Sequence, residues 1–155
     1  MGAVLSDDKV YRYQLTREWG PGPPLMFILL NPSTADADID DPTIRRCIGF
    51  AKRDGYGRLV VVNLYAFRAT SPKEMLSAAD PVGPDNDSYL VKAIASSEGP
   101  VVAAWGNHAR PSRVEAVRRL VRDASLLHLG LTRSGQPRHP LYVNSAQEML
   151  PWLHA

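Results

Sequence analysis

Leu25-Met-Phe-Ile-Leu-Leu30, followed at once by Asn31-Pro-Ser-Thr34, is the stretch whose reading decides the fold. Six consecutive apolar residues match a strand buried on both faces of a parallel sheet, and the abrupt change to Asn-Pro-Ser-Thr puts polar side chains where that strand would emerge. In open α/β sheets, ligands bind outside these carboxyl ends. The same change recurs at Val60-Val-Val62 into Asn63, at Val101-Val-Ala-Ala104 into Trp105-Gly-Asn-His108, and after Leu126-Leu-His-Leu129. Four strand ends are therefore expected to point towards one site.

Helical patterns separate these runs. Asp41-Pro42 is a helix opening, with Asp as N-cap and Pro at the first helical position, and Ile44, Cys47, Ile48 and Ala51 recur at helical spacing before Gly55 or Gly57. Ser71-Pro-Lys-Glu74 has the form of a capping box and predicts a short helix from Pro72 to about Ala78. Tyr89, Leu90, Ala93 and Ile94 mark a third helix, ended by Gly99-Pro100. A fourth spans Pro111 to Asp123, where Val114, Val117, Leu120 and Val121 form one stripe. Its Arg113, Arg118, Arg119 and Arg122 are read as solvated surface in preference to a phosphate track.

Outside this alternation, residues 1 to 8 are expected to be disordered, and Val10 to Leu15 alternate as a half-exposed edge strand would. The turn-rich Gly20-Pro-Gly-Pro-Pro24 delivers the chain to the central strand. Leu141-Tyr-Val143 is expected to be a last short strand, and Ser145-Ala-Gln-Glu148 a capping box opening a terminal helix. The expectation is one α/β domain over residues 1–155, with three layers and a mostly parallel, four-stranded central sheet plus an N-terminal edge strand.

At 155 residues the chain has room for a single real core. Its 45% hydrophobic and 22% charged residues are ordinary for a soluble protein, and a net charge of +2 does not by itself require nucleic acid. One cysteine, Cys47, excludes an intramolecular disulfide and a multi-thiolate metal centre. No apolar run approaches the roughly 20 residues that cross a bilayer, and the first residues lack a signal-peptide pattern. The protein is accordingly read as cytoplasmic, with no membrane partner.

Asn31 and Asn63 each follow an apolar strand, where an amide can read a nucleobase edge, hold a water molecule or cap a turn. Asp36, Asp38 and Asp40 alternate as calcium ligands do, but Asp41 and Cys47 stand where such a loop needs its Gly and its bidentate Glu. A magnesium site centred on Asp36, Asp40 and Asp41, serving a phosphohydrolase, and a solvated loop with helix caps both remain open. His139 lies between Arg138 and Pro140 in a rigid loop after the fourth strand, where imidazole can stabilise an accumulating negative charge. Gln136 and Arg138 share that loop, while Trp105 and Asn107 follow the third strand and Ser33, Thr34 and Arg68 accompany the two asparagines. All are candidates for substrate contact. His108 could equally bond a carbonyl near a helix start, His128 falls within a strand and His154 at the end. Arg45, Arg46 and Arg68 either hold phosphate or pair with the Asp loop. Gly-x-Ser-x-Gly, the P-loop and Gly-x-Gly-x-x-Gly are missing, so serine hydrolase, NTPase and dinucleotide-binding readings lack support.

Over nearly its whole length the chain resembles a family of small bacterial and phage proteins known only as a domain of unknown function. The matching segments are Leu30-Asn-Pro-Ser-Thr-Ala35, Asp41-Pro-Thr-Ile-Arg45, Asn63-Leu-Tyr-Ala-Phe-Arg-Ala-Thr70, Pro81-Val-Gly-Pro-Asp-Asn86, Ala104-Trp-Gly106 and Gly135-Gln-Pro-Arg-His-Pro-Leu-Tyr142. More distantly, Asn31-Pro32, Asn63, Trp105-Gly-Asn-His-Ala109 and His139-Pro140 are similar in order and position to the motifs of the uracil-DNA glycosylase superfamily. That resemblance implies a glycosylase-like fold, in which Asn31 positions the hydrolytic water, Asn63 reads the base edge and His139 stabilises the departing base anion. The partner would be a nucleobase, a nucleotide or DNA, and no cofactor is implied. A non-catalytic module binding a nucleotide or modified base is the alternative. Two departures stand out: Leu30 replaces the Gly of the first motif, and Leu141-Tyr142 replaces the Ser-Pro after His-Pro.

Overall fold

Strict alternation of buried side chains to opposite faces explains why the run from Leu25 tolerates no polar residue. In the computed structural model, which describes residues Gly2–Leu153, Leu25, Phe27 and Leu29 pack on one side, and Met26, Ile28 and Leu30 on the other. The elements run β1 (Gly2–Leu5), β2 (Arg12–Glu18), β3 (Pro24–Leu29), α1 (Pro42–Arg53), β4 (Arg58–Asn63), α2 (Pro72–Leu76), α3 (Asn86–Ala95), β5 (Val101–Ala103), α4 (Pro111–Leu120) and β6 (Leu126–His128). A 3-10 turn at Pro140–Tyr142 and β7 (Leu150–Pro151) complete the chain.

All seven strands join one mixed sheet in the order β1-β2-β4-β3-β5-β6-β7. β3 pairs in parallel with β4 and β5, and β5 with β6, whereas β2 meets β4, β1 meets β2 and β7 meets β6 antiparallel. Ile44, Cys47, Phe50 and Ala51 of α1 pack on Leu25, Phe27 and Leu29. Leu90 and Ala93 of α3, with Val114 and Val117 of α4, pack on Met26 and Ile28. Each fully buried Leu, Ile or Phe contributes about 1.5–3 kcal/mol, so the paired faces of β3 anchor both layers.

The order places the site. From β3 the chain crosses through α1 to β4 on one side, then passes through α2 and α3 to β5 on the other side of β3. Where the winding reverses, the loops leaving β3 and β5 diverge and open a crevice.

The caps form as the residues dictate. Asp41 Oδ1 accepts the Ile44 N–H at 2.9 Å, and Ser71 Oγ accepts the Glu74 N–H at 3.1 Å. The flanks differ from expectation. Residues 1 to 8 are not disordered as a whole: Gly2–Leu5 pairs with β2, and Ser6 to Lys9 turn the chain, with Ser6 Oγ bonded to Asp8 and Lys9 at φ 61°. β2 consequently is not the edge. Leu141-Tyr-Val143 is not a strand, because Pro140–Tyr142 closes a 3-10 turn. The capping-box pattern at Ser145 opens no helix; Asn144 Oδ1 caps a turn there instead, and Leu150–Pro151 pairs with His128 and Leu127. Arg113 is buried rather than solvated, donating from Nε to Leu64 O at 2.8 Å and from Nη2 to Asp87 at 2.7 Å. Among the described residues no helix is long and apolar enough to cross a membrane.

Candidate functional site

At the end of β3 the backbone continues through Leu30 into Asn31, whose amide is held in one orientation. Its Nδ2 donates to Pro32 O and Ala69 O, each at 3.0 Å, with Phe67 O further off at 3.5 Å. Carbonyl partners on Nδ2 fix which end of the amide is the oxygen, so Oδ1 is left as an acceptor with no donor among the described residues.

β5 ends in Ala104 and Trp105, and then Gly106 turns at φ +72°. A Cβ there would lie 3.4 Å from His139 Cβ, so glycine permits both the left-handed turn and the close approach of the histidine loop. Gly106 N–H donates to Pro137 O at 2.7 Å, and buried Trp105 donates from Nε1 to Gln136 Oε1 at 2.9 Å. Residues 130–138 form a hairpin-like loop, in which Thr132 N–H bonds Gln136 O and Arg138 N–H bonds Gly130 O. The hydroxyls of Thr132 and Ser134 both donate to Asn107 Oδ1 at 2.8 Å. The loops after β5 and β6 are thus tied together.

His139 follows directly. Its Nδ1 accepts the Leu141 N–H at 3.3 Å, which places the proton of the neutral ring on Nε2. Burial pushes its pKa down to about 4; Asp41 pulls the other way and His108 reinforces the fall. At neutral pH the ring is therefore an uncharged Nε2–H donor. Arg46 holds the turn in place, donating from Nε to Pro140 O at 3.2 Å and from Nη2 to Val143 O.

Asn31, Ser33, Trp105, Asn107, Arg138 and His139 line one cavity of about 620 Å³. That is within the roughly 300–1,000 Å³ usual for small-molecule sites. Thr34 and Arg68 line an adjoining shallow depression of about 410 Å³ that shares Ser33, Ala69 and Thr70 with the cavity. The two remaining candidates line neither. Gln136 is engaged with Trp105, and Asn63, the register partner of Leu29, is fully buried with neither amide atom hydrogen-bonded.

The acidic loop is committed to structure. Asp36 Oδ1 accepts from the N–H groups of Asp38 and Ile39, Asp40 pairs with Arg17 at 2.7 Å, and Asp41 accepts from Ala35 and Ile44. No group of three or more His, Cys, Asp or Glu is placed to hold a metal ion among the described residues. Arg45 donates to Asp40 O and Arg68 to Lys9 O. His128 Nδ1 accepts from Gly130 N–H, and His154 lies outside the described residues.

Thr43, Thr70, Arg133 and Tyr142 in the wall are not singled out by the sequence, which marks Asp41 as a helix cap and as part of a candidate magnesium site. Their placement follows from loop geometry, which no periodicity encodes.

No curated protein and no solved structure matches the chain. A family model described as a protein of unknown function (DUF1643) matches residues 12–141, most of the chain, and the chain belongs to that family.

Proposed function

We propose that the cavity binds the nucleobase of a nucleoside, nucleotide or nucleic acid and hydrolyses its N-glycosidic bond, on a fold of the uracil-DNA glycosylase type. The observation carrying this reading is that Asn31 and His139, distant in sequence, line the same crevice with complementary chemistry. Asn31 Oδ1 is a fixed acceptor for the attacking water. His139 Nε2–H donates to the base as it departs with negative charge. Cleavage through an oxocarbenium-like state needs separated charge stabilised more than it needs a strong nucleophile. Asp41, in the same wall, supplies a negative group suited to the positive charge developing on the sugar.

The test is release of free base, measured by chromatography, from nucleosides, nucleotides, and single-stranded and duplex oligonucleotides carrying uracil, thymine mismatches or modified bases. Asn31→Ala should lower turnover by about 100-fold or more while substrate affinity stays within a few-fold. Release of no base, together with binding of none, refutes the reading.

The bonding of Asp41 favours a second reading, a binding module without turnover: the one carboxylate in the cavity lining accepts from the Ala35 and Ile44 N–H groups on both its oxygens, which leaves no free general base beside the attacking water. Base binding by the wild-type protein with no product at any enzyme concentration would select it.

A further inference from the structure

The hairpin at residues 130–138 contributes two arginines to the cavity lining without giving either an acidic partner among the described residues. Arg133 and Arg138 both line it and are exposed, and neither side chain makes a hydrogen bond or ion pair with the described residues. Of the other arginines, Arg17, Arg53, Arg113 and Arg119 pair with carboxylates, Arg12, Arg45, Arg46, Arg68 and Arg110 donate to carbonyls and Arg118 lies over the Trp152 ring, while Arg58 and Arg122, which also lack a side-chain hydrogen bond or ion pair among the described residues, do not line the cavity. Arg138 is also positioned. Gly130, at φ +105°, has no Cβ where the Arg138 stem crosses it, since a Cβ there would be 3.2 Å from Cδ. In the same lining, the hydroxyls of Ser33, Thr43 and Thr70 are likewise without partners among the described residues. The acid in the wall, Asp41, is occupied by two backbone N–H groups.

From this we infer that the cavity has a second, anion-binding half, in which Arg133 and Arg138 hold the phosphate ester of the ligand whose base lies against His139. The inference rests on the nucleobase reading and narrows it to phosphorylated substrates: a nucleoside monophosphate, or a nucleic-acid strand through one of its phosphates. Guanidinium is suited to this, because its planar fork presents paired donors to phosphate oxygens.

The experiment is titration calorimetry with each common base as free base, nucleoside and 5′-monophosphate, with short single-stranded oligonucleotides, and with inorganic phosphate alone. The wild-type protein should bind a monophosphate or an oligonucleotide at least tenfold more tightly than the matching nucleoside, and raising the salt concentration should weaken that preference. Arg133→Gln with Arg138→Gln should abolish the preference, bringing monophosphate and oligonucleotide affinity to that of the matching nucleoside. Arg138→Lys should recover part of it. Tighter binding of the oligonucleotide identifies a strand as the source of the phosphate, and tighter binding of the monophosphate a free nucleotide. Equal affinity for nucleoside and monophosphate, or a preference that survives the double substitution, overturns the inference and leaves the base reading standing. Arginine-dependent binding of inorganic phosphate with no base or nucleoside bound overturns the base reading and keeps the anion site. Binding of none of the probes overturns both.

Discussion

Acidification should destabilise this protein through His139 before its carboxylates protonate. An unfolded histidine takes up a proton near pH 6.5, whereas the folded ring does so only near pH 4. Between these values the unfolded state holds more protons, so stability falls as pH falls; the penalty is absent well above pH 6.5, grows down to about pH 4 and is constant below. The full displacement corresponds to about 3 kcal/mol at 1.36 kcal/mol per pH unit. The ring is partly exposed, so solvent screening reduces the expected effect to about 1–2 kcal/mol. Urea denaturation at pH 7.5, 6, 5 and 4.5, on the wild-type protein and His139→Gln, isolates the contribution. His128, displaced in the same direction by burial, is present in both and cancels in the difference. The wild-type protein should lose about 1–2 kcal/mol more than the variant between pH 7.5 and 4.5. Ring resonances of His139 titrating near pH 6.5, or parallel stability profiles, would refute the neutral-donor assignment. Any glycosylase rate should also be level from pH 6 to 8, since the donor does not change its charge there.

Three further substitutions probe how the site is held. Asn31→Asp should be worse than Asn31→Ala for stability, by about 1–3 kcal/mol in urea unfolding, because a carboxylate would face the carbonyl oxygens now bonded by Nδ2. Gly106→Ala should cost about 1–3 kcal/mol, from the left-handed backbone and the contact at His139 Cβ, and should weaken ligand binding as the histidine loop shifts. Arg46→Met removes the guanidinium that lies over the Phe50 ring and frees Pro140 O and Val143 O; a loss of about 1–3 kcal/mol and faster amide exchange over residues 140–143 are expected.

The central strands and their helices were legible because burial on both faces leaves a periodic record. Leu25 to Leu30 could be nothing wetter than a central strand, and Asp41-Pro42 and Ser71-Pro72 announced their helices by chemistry that acts over three residues. The edges left weaker records. Gly2–Leu5 is short and joins the sheet through backbone pairing with β2, which its composition does not announce. The capping-box pattern at Ser145 had no apolar stripe to bury behind it, so Leu150–Pro151 found β6 instead. Arg113 was misplaced because a buried arginine and a solvated one look alike until Leu64 O and Asp87 are seen beside it. At the site, strand ends could be located from sequence, but the side on which each loop falls could not. Asn31 and His139 therefore share a wall, while Asn63 lies beneath it.

That division has a physical origin in the sheet order. Asn63 is level with Leu29 across a parallel ladder, so it stands at the last paired position of the sheet, whereas Asn31, two residues further along, has already left it. An amide at that depth contacts a ligand only if the loop above it yields, and that loop is stapled by Asn31 Nδ2 to Ala69 O and by Ala69 N–H to Pro32 O. Asn31 thus both ties the loop after β3 to the loop after β4 and presents an acceptor in the cavity lining. Loosening the staple should expose the buried amide as well as misplace the acceptor. On this argument Asn31→Ala and a substitution at Asn63 are coupled: their combined effect on base affinity should differ from the sum of the single effects, and strict additivity in a double-mutant cycle would show that Asn63 belongs to the core alone.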